Sequence, residues 1–351
     1  MHRIILPALF ALGLAACGAE PAVNAGTPAQ NTGIEPWTFR GPDRMERLVA
    51  GAQAEGELSF YTSLPVLTTS QITDAFEAKY GIEVTMYRAE STQLLQRAMN
   101  EARAGRHVVD VVESAAAEVE AMEREQLLRA VDLPVFEYML EGAAVPGRAW
   151  VASRLTLFVV AYNTNLVRTE DVPYTFQDLL DPRWKGKIGI EGENSNWLME
   201  VSGALGRDET IALFREIAAT NGMSARRGHT LLVNLVASGE IPIGINAYHE
   251  HVDQARERGA PVDYVIMPPV IAMPLVAGVM REAPHPHAAI LFMEFLLNEG
   301  QQMIADQMMV PTNTRYASQA NLPPFKILDV AKYVDENQQW LALYRELFLG
   351  G

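Results

Sequence analysis

Strand patterns and helix patterns alternate along the chain from about residue 57, and this alternation restricts the fold more than any other feature. Leu58-Ser-Phe-Tyr61 is a short apolar run that predicts a strand, and Ile72, Ala75 and Phe76 then share one face of a predicted helix. Further strands are predicted at 82–87, 108–112, 187–191, 241–247 and 262–267, and further helices after Ser91, at 116–128, 196–205, 208–219, 230–238 and 248–258, and from 286 onward. Strands that alternate with helices predict an α/β fold with a parallel sheet.

Two long β-prone segments are the second constraint on the fold. Residues 149–162 read AWVASRLTLFVVAY, which is longer than one ordinary strand, and residues 262–273 form a second such segment. Two α/β units joined by two long β segments predict two lobes connected by a hinge of crossover strands. A connection of this kind permits closure around a ligand in the cleft between the lobes.

The N-terminal residues predict an export signal. Arg3 supplies a basic start, and Ile4–Ala16 is an apolar stretch that is too short to span a bilayer. The stretch ends in Leu14-Ala-Ala-Cys17, which resembles the lipobox of bacterial lipoproteins, whose cysteine is acylated. We therefore predict a lipoprotein signal peptide at 1–16, a flexible tether at 17–38 and a protein of the periplasm or cell envelope that is lipid-anchored to the membrane through Cys17. An ordinary secretory signal with a chance cysteine is the alternative.

Composition excludes several classes of protein. Lys and Arg number 28 against 43 Asp and Glu, and the resulting net charge of -15 argues against nucleic acid binding. The single cysteine excludes an intrachain disulfide and a thiolate metal cluster. The sequence carries no Gly-x-Ser-x-Gly elbow, His-Glu-x-x-His helix or Walker loop. We therefore predict a binding protein that requires no cofactor, not an enzyme.

Two polar loops follow predicted strands in the second half of the chain. Tyr248-His-Glu-His251 brings a phenol, two imidazoles and a carboxylate together, a set that suits a divalent transition metal, an organic ligand or a solvated helix start. Glu191-Gly-Glu-Asn-Ser-Asn-Trp197 joins a strand to a helix start. There Ser195 and Asn196 can contact an anion or cap the helix, and Trp197 can wall a cleft or pack inside.

Polar residues also follow the first two predicted strands. Tyr61, Thr62 and Ser63 end the first strand, at the position where open α/β sheets bind ligands. Arg88-Ala-Glu-Ser91 ends the second strand and opens a helix, which adds Glu90 to the candidate ligand contacts. Turn and helix-cap chemistry explains each group equally well.

The order and spacing of several segments over about residues 55–302 resemble the substrate-binding proteins of ABC importers, specifically the type 2 periplasmic-binding-protein fold of the ferric-ion binders. These segments are Phe60-Tyr-Thr-Ser63, Asp74 to Val84, Val109-Asp-Val-Val112, Ala161-Tyr-Asn-Thr164, Asp181-Pro-Arg-Trp-Lys-Gly-Lys-Ile188, Ala237-Ser-Gly-Glu-Ile-Pro242 and Pro284-His-Pro-His-Ala-Ala289. The resemblance implies a second lobe inserted into the first, which predicts lobe 1 at 39–158 and 268–351 and lobe 2 at 159–267. It also implies a monomer that delivers a small ligand to a membrane permease and ATPase complex.

Ferric-ion binders similar to this chain place a glutamate after the third strand and two adjacent tyrosines after the strand that matches 241–247. Glu113 lies near the glutamate position. Counted without gaps, the tyrosine positions fall on His249 and Glu250, directly after Tyr248, and a shift of one residue puts them on Tyr248 and His249 instead. Phenolates are hard oxygen donors that suit Fe(III). The missing tyrosine pair therefore argues against that mode of iron binding.

The predicted cargo is a metal cation or a ferric complex captured in the cleft between the lobes, and the possible bound metal ion is iron or another transition metal. The candidate metal ligands are Glu113, Tyr248, His249 and Glu250. The alternative cargo is a small organic cation or zwitterion, such as a polyamine or an aminophosphonate, in a cage of the acidic loop 191–193 with the rings of Trp197 and Tyr61. A periplasmic enzyme or a sensor-associated scaffold on the same fold is the third interpretation.

Overall fold

Strands and helices alternate through residues 36–317 and 322–350, the part of the chain that the computed structural model describes. The strands are β1 (Glu57–Thr62), β2 (Glu83–Arg88), β3 (Val111–Ala115), β4 (Leu128–Arg129), β5 (Trp150–Asn163), β6 (Ile188–Glu191), β7 (Ser224–Arg226), β8 (Ile243–Tyr248), β9 (Val262–Val265), β10 (Ile271–Met280), β11 (Val310–Pro311) and β12 (Lys326–Ile327). The α-helices are α1 (Arg44–Glu55), α2 (Val66–Tyr80), α3 (Ser91–Arg103), α4 (Ala116–Arg124), α5 (Ser195–Leu205), α6 (Arg207–Asn221), α7 (His229–Ser238), α8 (His249–Glu257), α9 (Pro286–Leu296), α10 (Gly300–Asp306), α11 (Thr314–Ala317) and α12 (Val330–Phe348). The predicted α/β class is confirmed.

β5 is the strand that joins the two halves of the sheet. Every residue of β5 is buried, which explains an apolar run without the alternation of a half-exposed strand. Residues 150–157 pair with antiparallel β10, whereas residues 158–163 pair with β8 and β9. β5 is therefore a crossover strand, in agreement with its predicted length.

The sheet is mixed and not parallel as predicted. In the order β2-β1-β3-β10-β5, β1 is parallel to both of its neighbours, and β10 is antiparallel to β3 and β5. Beyond β5 the order continues β8-β6-β7, in which β6 is parallel to both of its neighbours. Two antiparallel strands, β10 and β5, therefore separate two sets of parallel strands.

The second long β segment is broken. β9 ends at Val265 and β10 begins at Ile271, with Pro268 and Pro269 between them. Proline lacks the backbone N–H that a strand ladder needs, which explains the interruption. The prediction of a continuous crossover over 262–273 is therefore wrong, and among the strands described here β5 makes the crossing.

α12 packs on both sides of the crossover strand. It contacts α4, which follows β3, and it also contacts α5 and α6, which follow β6. The predicted lobe limits, 39–158 with 268–351 and 159–267, place α12 in the first lobe. These limits stay a prediction.

The N-terminal predictions fall outside the residues that the structure describes. These are the signal peptide at 1–16, the lipidated Cys17 and the tether at 17–38, apart from its last residues. Within the described residues, none of the helices is both long enough and apolar enough to cross a membrane.

Candidate functional site

A cavity of about 500 Å³ lies between the two parallel sets of strands. On one side its wall is formed by residues that follow β1 and β2, and on the other side by the first turns of α7 and α8. Strand ends of both sets therefore meet at this cavity, which is where α/β sheets bind ligands. Its volume is that of a site for a small solute.

Positive charge predominates in the cavity wall. Arg88 and Arg154 come from the first set of elements and Arg258 from the residue that follows α8. Glu90 and Glu250 are the carboxylates of the same wall. Three guanidinium groups against two carboxylates leave the wall with a net positive charge, although the whole chain is acidic.

Arg154 is the buried cation of the cavity. It lies on β5 and is 6% exposed. Its Nε is 3.3 Å from Oε1 of Glu113, but this nitrogen donates no hydrogen bond. Glu113 also accepts hydrogen bonds from Thr62 Oγ1 (2.8 Å) and Ser153 Oγ (3.3 Å). Because Glu113 accepts hydrogen bonds from two hydroxyl groups and not from Arg154 Nε, Arg154 keeps capacity to bind an anion from the cavity side.

Tyr248 and His229 form an aromatic platform in the wall. Their ring centroids are 3.4 Å apart and their planes differ by 15°. Asn194 Nδ2 lies 2.7 Å from His229 Nε2, and this hydrogen bond fixes the orientation of the imidazole. Burial and the nearby His251 lower the pKa of His229 to about 3, so this imidazole is neutral at physiological pH. Burial and the charge of Glu250 raise the pKa of Tyr248, which keeps the phenol protonated.

His249 and Glu250 point toward the crossover strand. The backbone N–H of Leu157 donates to His249 Nδ1 (3.1 Å), and Thr156 Oγ1 donates to Glu250 Oε2. His249 Nδ1 is 3.0 Å from Glu250 Oε2. Burial alone would raise the pKa of Glu250, but the neighbouring His249 and His251 and the hydrogen bond from Thr156 outweigh it and leave that pKa lowered. Glu250 lines the cavity, and His249 lies behind it.

Four of the predicted ligand-contact residues lie in the cavity wall. These are Ser63, Glu90, Tyr248 and Glu250. Each follows or ends a parallel strand, which is the position from which the sequence predicted a ligand contact.

Tyr61 and Thr62 do not line this cavity. The Tyr61 hydroxyl donates to Glu101 (3.0 Å) and accepts from Arg97 Nε (2.9 Å), in a separate cavity between β1, β2 and α3. Burial and Glu101 raise the pKa of Tyr61 to about 12. Thr62 is paired in register with Glu113 on the neighbouring strand, and the two side chains bond to each other.

The loop after β6 also lies away from the cavity. Ser195 Oγ is 3.1 Å from the Tyr333 hydroxyl of α12, and Asn196 Nδ2 donates to Met273 Sδ at 3.3 Å. Trp197 is 3% exposed and packs against the rings of Phe176 and Phe214. The structure therefore selects the interior alternative for Trp197.

The predicted cation cage does not form. Trp197 and Tyr61 belong to different packing clusters, and the carboxylate of Glu191 accepts hydrogen bonds from the backbone N–H groups of Glu193 and Gly228. These contacts occupy the groups that a bound organic cation would need.

The four predicted metal ligands are not gathered around one point. Tyr248 and Glu250 line the cavity, whereas Glu113 is fully buried among Thr62, Ser153 and Arg154 and His249 bonds to β5. Across residues 36–317 and 322–350, no group of three or more His, Cys, Asp or Glu side chains is arranged to hold a metal ion.

Arg154 and Arg258 are cavity residues that the sequence prediction missed. Arg154 had a usable signal, because a charged residue inside a fully buried apolar strand is rare unless it is paired or functional. Arg258 had none, since an arginine at the end of a surface helix is ordinary.

The chain was compared with known proteins. The family model described as bacterial extracellular solute-binding protein matches residues 108–338. Iron uptake protein A1 of Synechocystis is 24% identical over 284 residues, which cover 76% of this chain and 77% of that protein. Iron-bound HitA of Pseudomonas aeruginosa superposes with a TM-score of 0.71 at 21% identity, covering 83% of this chain and 99% of that one. Trichodesmium IdiA (FutA), in complex with iron and citrate, superposes with a TM-score of 0.69 at 20% identity, covering 83% and 99%. These solved structures share the two-lobe fold.

Proposed function

This chain belongs to the bacterial extracellular solute-binding proteins, and we propose that it is the substrate-binding component of an ABC importer that captures an anionic solute. Its family membership makes it a binding protein and not an enzyme. The solute is held in the cavity between the two sets of strands and is then delivered to a membrane permease and its ATPase. The protein acts in this role as a monomer.

The observation that carries the proposal is the convergence of Arg88, Arg154 and Arg258 on one cavity. Guanidinium groups bind carboxylates and phosphates with paired, charge-assisted hydrogen bonds. The same groups repel a bare metal cation or a polyamine. An anion therefore fits the cavity better than either cation.

The first candidate cargo is a ferric complex with an anionic chelator. Iron uptake protein A1 is named for iron, and the Trichodesmium structure holds iron and citrate together. A chelated iron brings most of its own oxygen ligands, so it does not need two tyrosines from the protein. Its negative chelator faces the arginines, while Tyr248 and Glu250 supply oxygen atoms to the metal.

The second candidate cargo is an organic anion without metal. The absence of a three-residue metal cluster among the described residues favours it. A carboxylate or a phosphate ester that binds the arginines and packs against the His229–Tyr248 platform satisfies the same wall.

Calorimetric titration of the purified full chain separates these cargoes. We expect heat of binding with Fe(III)–citrate, and none with Zn(II), Mn(II) or putrescine. If citrate alone binds as tightly as Fe(III)–citrate, the metal-free anion is the cargo class. Binding of a bare metal or of putrescine, with no response to either anionic ligand, would contradict the proposal.

We further propose that Cys17 is acylated and holds the protein at the membrane of the cell envelope. The lipobox-like sequence before Cys17 supports this. Cells grown with labelled palmitate should incorporate the label into the wild type and not into Cys17→Ser. An unlabelled wild type that partitions into the aqueous phase of a detergent extraction would argue instead for an ordinary secretory signal.

A further inference from the structure

Two adjacent residues at the start of α8 hold the crossover strand. His249 Nδ1 accepts the backbone N–H of Leu157 at 3.1 Å, and Glu250 accepts the hydroxyl of Thr156. His249 Nδ1 is 3.0 Å from Glu250 Oε2, so the two side chains also contact each other. Their exposed fractions are 5% and 4%, and that of Thr156 is 0%. We call this group, Thr156, the Leu157 amide, His249 and Glu250, the hinge clamp.

The hinge clamp lies at the point where β5 changes partners. Leu157 is the last β5 residue that pairs with β10, opposite Ala272. Phe158 is the first that pairs with β8, opposite Tyr248. A rotation of one set of strands against the other must change backbone angles near this point, because β5 is common to both. The clamp thus ties α8 to the position where such a rotation occurs.

The hinge clamp also reaches the cavity. Glu250 lines the cavity, while its carboxylate bonds to Thr156. Arg154, two residues before Thr156 on the same strand, lines the cavity as well. A cargo that draws on Arg154 or displaces Glu250 therefore acts on the strand segment that the clamp holds.

We propose that His249 and Glu250 are positioning residues that set the angle between the two lobes through the hinge clamp and so link cargo contact to closure. Both side chains bond to the crossover strand. The inference rests on the proposed function only in taking lobe closure as the way in which cargo is held.

The test measures the distance between the lobes in the ligand-free protein. Exposed Asp74 on α2 and exposed Lys185 before β6 are replaced by cysteine for spin labels, in the full chain carrying Cys17→Ser. Pulsed EPR then gives the distribution of inter-label distances. Thr156→Val removes the hydroxyl that bonds to Glu250 and keeps the side-chain shape, whereas Thr156→Ser keeps the hydroxyl. We expect a shifted or broadened distribution for Thr156→Val and a wild-type distribution for Thr156→Ser.

A second pair of variants covers the case in which Thr156→Val fails to fold. Glu250→Ala removes the acceptor of the clamp, whereas Glu250→Gln keeps an oxygen at the same position. We expect the distribution to change in Glu250→Ala and to stay unchanged in Glu250→Gln. A purely structural role would lower the melting temperature of Thr156→Val or Glu250→Ala without moving the distances, and this result would overturn the inference. Equal shifts in the breaking and the conservative variant would also overturn it.

The two proposals fail separately. No cargo is present in the EPR measurement, so a wrong cargo class leaves its result intact. Conversely, unchanged distances would reject the hinge clamp while calorimetric binding of Fe(III)–citrate or citrate still supported the cavity.

Discussion

The segment after β6 and the segment after β8 start from equivalent positions and differ in what lies against them. Each follows a strand of the same parallel set and opens a helix. Tyr248, which ends β8, and Glu250, in α8, line the cavity, whereas Ser195 and Trp197, in α5 after β6, are packed against other elements. A strand end in an α/β sheet therefore supplies a ligand site only where no further element covers it.

α12 is the element that covers the segment after β6. Its Tyr333 hydroxyl contacts Ser195, and its Tyr344 hydroxyl donates to the backbone carbonyl of Glu191. The segment after β6 still supports the cavity wall, because Asn194 holds His229 beside Tyr248. One loop thus has a packing role and the other a binding role.

Replacing Trp197 tests the packing role with the largest expected effect. Trp197→Ala leaves a cavity beside the rings of Phe176 and Phe214, and we expect it to lower the free energy of unfolding by about 3–5 kcal/mol. Trp197→Phe, which keeps a ring, should cost less than half as much. Urea denaturation measures both changes. A Trp197→Ala protein of wild-type stability that no longer binds Fe(III)–citrate would show instead that this loop contacts cargo.

The stability of the protein in acid tests the cavity wall, where His229 stacks on Tyr248. Because burial lowers its pKa to about 3, from 6.5, the unfolded chain binds a proton below pH 6.5 that the folded chain does not bind. The stabilising contribution of neutral His229 is therefore present above pH 6.5 and is lost as the pH falls toward 3. Between pH 7 and pH 5 we expect the wild type to lose about 2 kcal/mol more unfolding free energy than His229→Asn. Urea denaturation at pH 7, 6 and 5 would contradict this if the two proteins lost stability in parallel.

Arg258 tests the binding role with a smaller effect. Arg258→Gln removes one cation from the cavity wall, and we expect the affinity for Fe(III)–citrate to fall about tenfold, which is about 1.4 kcal/mol. Stability should change by less than about 0.5 kcal/mol, since Arg258 is exposed. Arg256→Gln is the matched control, because Arg256 pairs with Asp253 and Asp263. Equal loss of affinity in both variants would point to the general field of the surface and not to a cavity contact.

Much of the fold could be predicted from periodicity alone. The predicted helix at 230–238 is α7, and the predicted helix at 208–219 lies within α6. β10 was predicted to end near 273, but it continues to Met280. Pro274 interrupts the strand pattern there, and a shift of register between Leu275 and Val276 lets the ladder continue. Local signals predict elements well until a residue with unusual backbone properties lies inside one.

The site was less predictable because it depends on distant contacts. Tyr248 and Glu250 could be proposed from the end of a strand, and both lie in the cavity. Ser195 had the same local signal, but Tyr333, which is 138 residues later in the chain, covers it. Arg154 was missed because it lies inside a buried strand and not at a strand end, although a charge in such a strand is a usable signal, and it lines the cavity. The position of α12 determines which strand ends stay open, and no local sequence pattern predicts that position.

Tyr344→Phe tests α12 itself, and its expected effect on binding is none. The Tyr344 hydroxyl donates to the Glu191 carbonyl and accepts from Asn246 Nδ2 at 3.1 Å, so its loss removes two buried hydrogen bonds. We expect the free energy of unfolding to fall by about 1–3 kcal/mol, because both partners stay buried, with no change in Fe(III)–citrate affinity. Urea denaturation and calorimetry measure the two quantities. If affinity fell while stability held, α12 would act on the cavity through Asn246, and the division between a packing loop and a binding loop would be wrong.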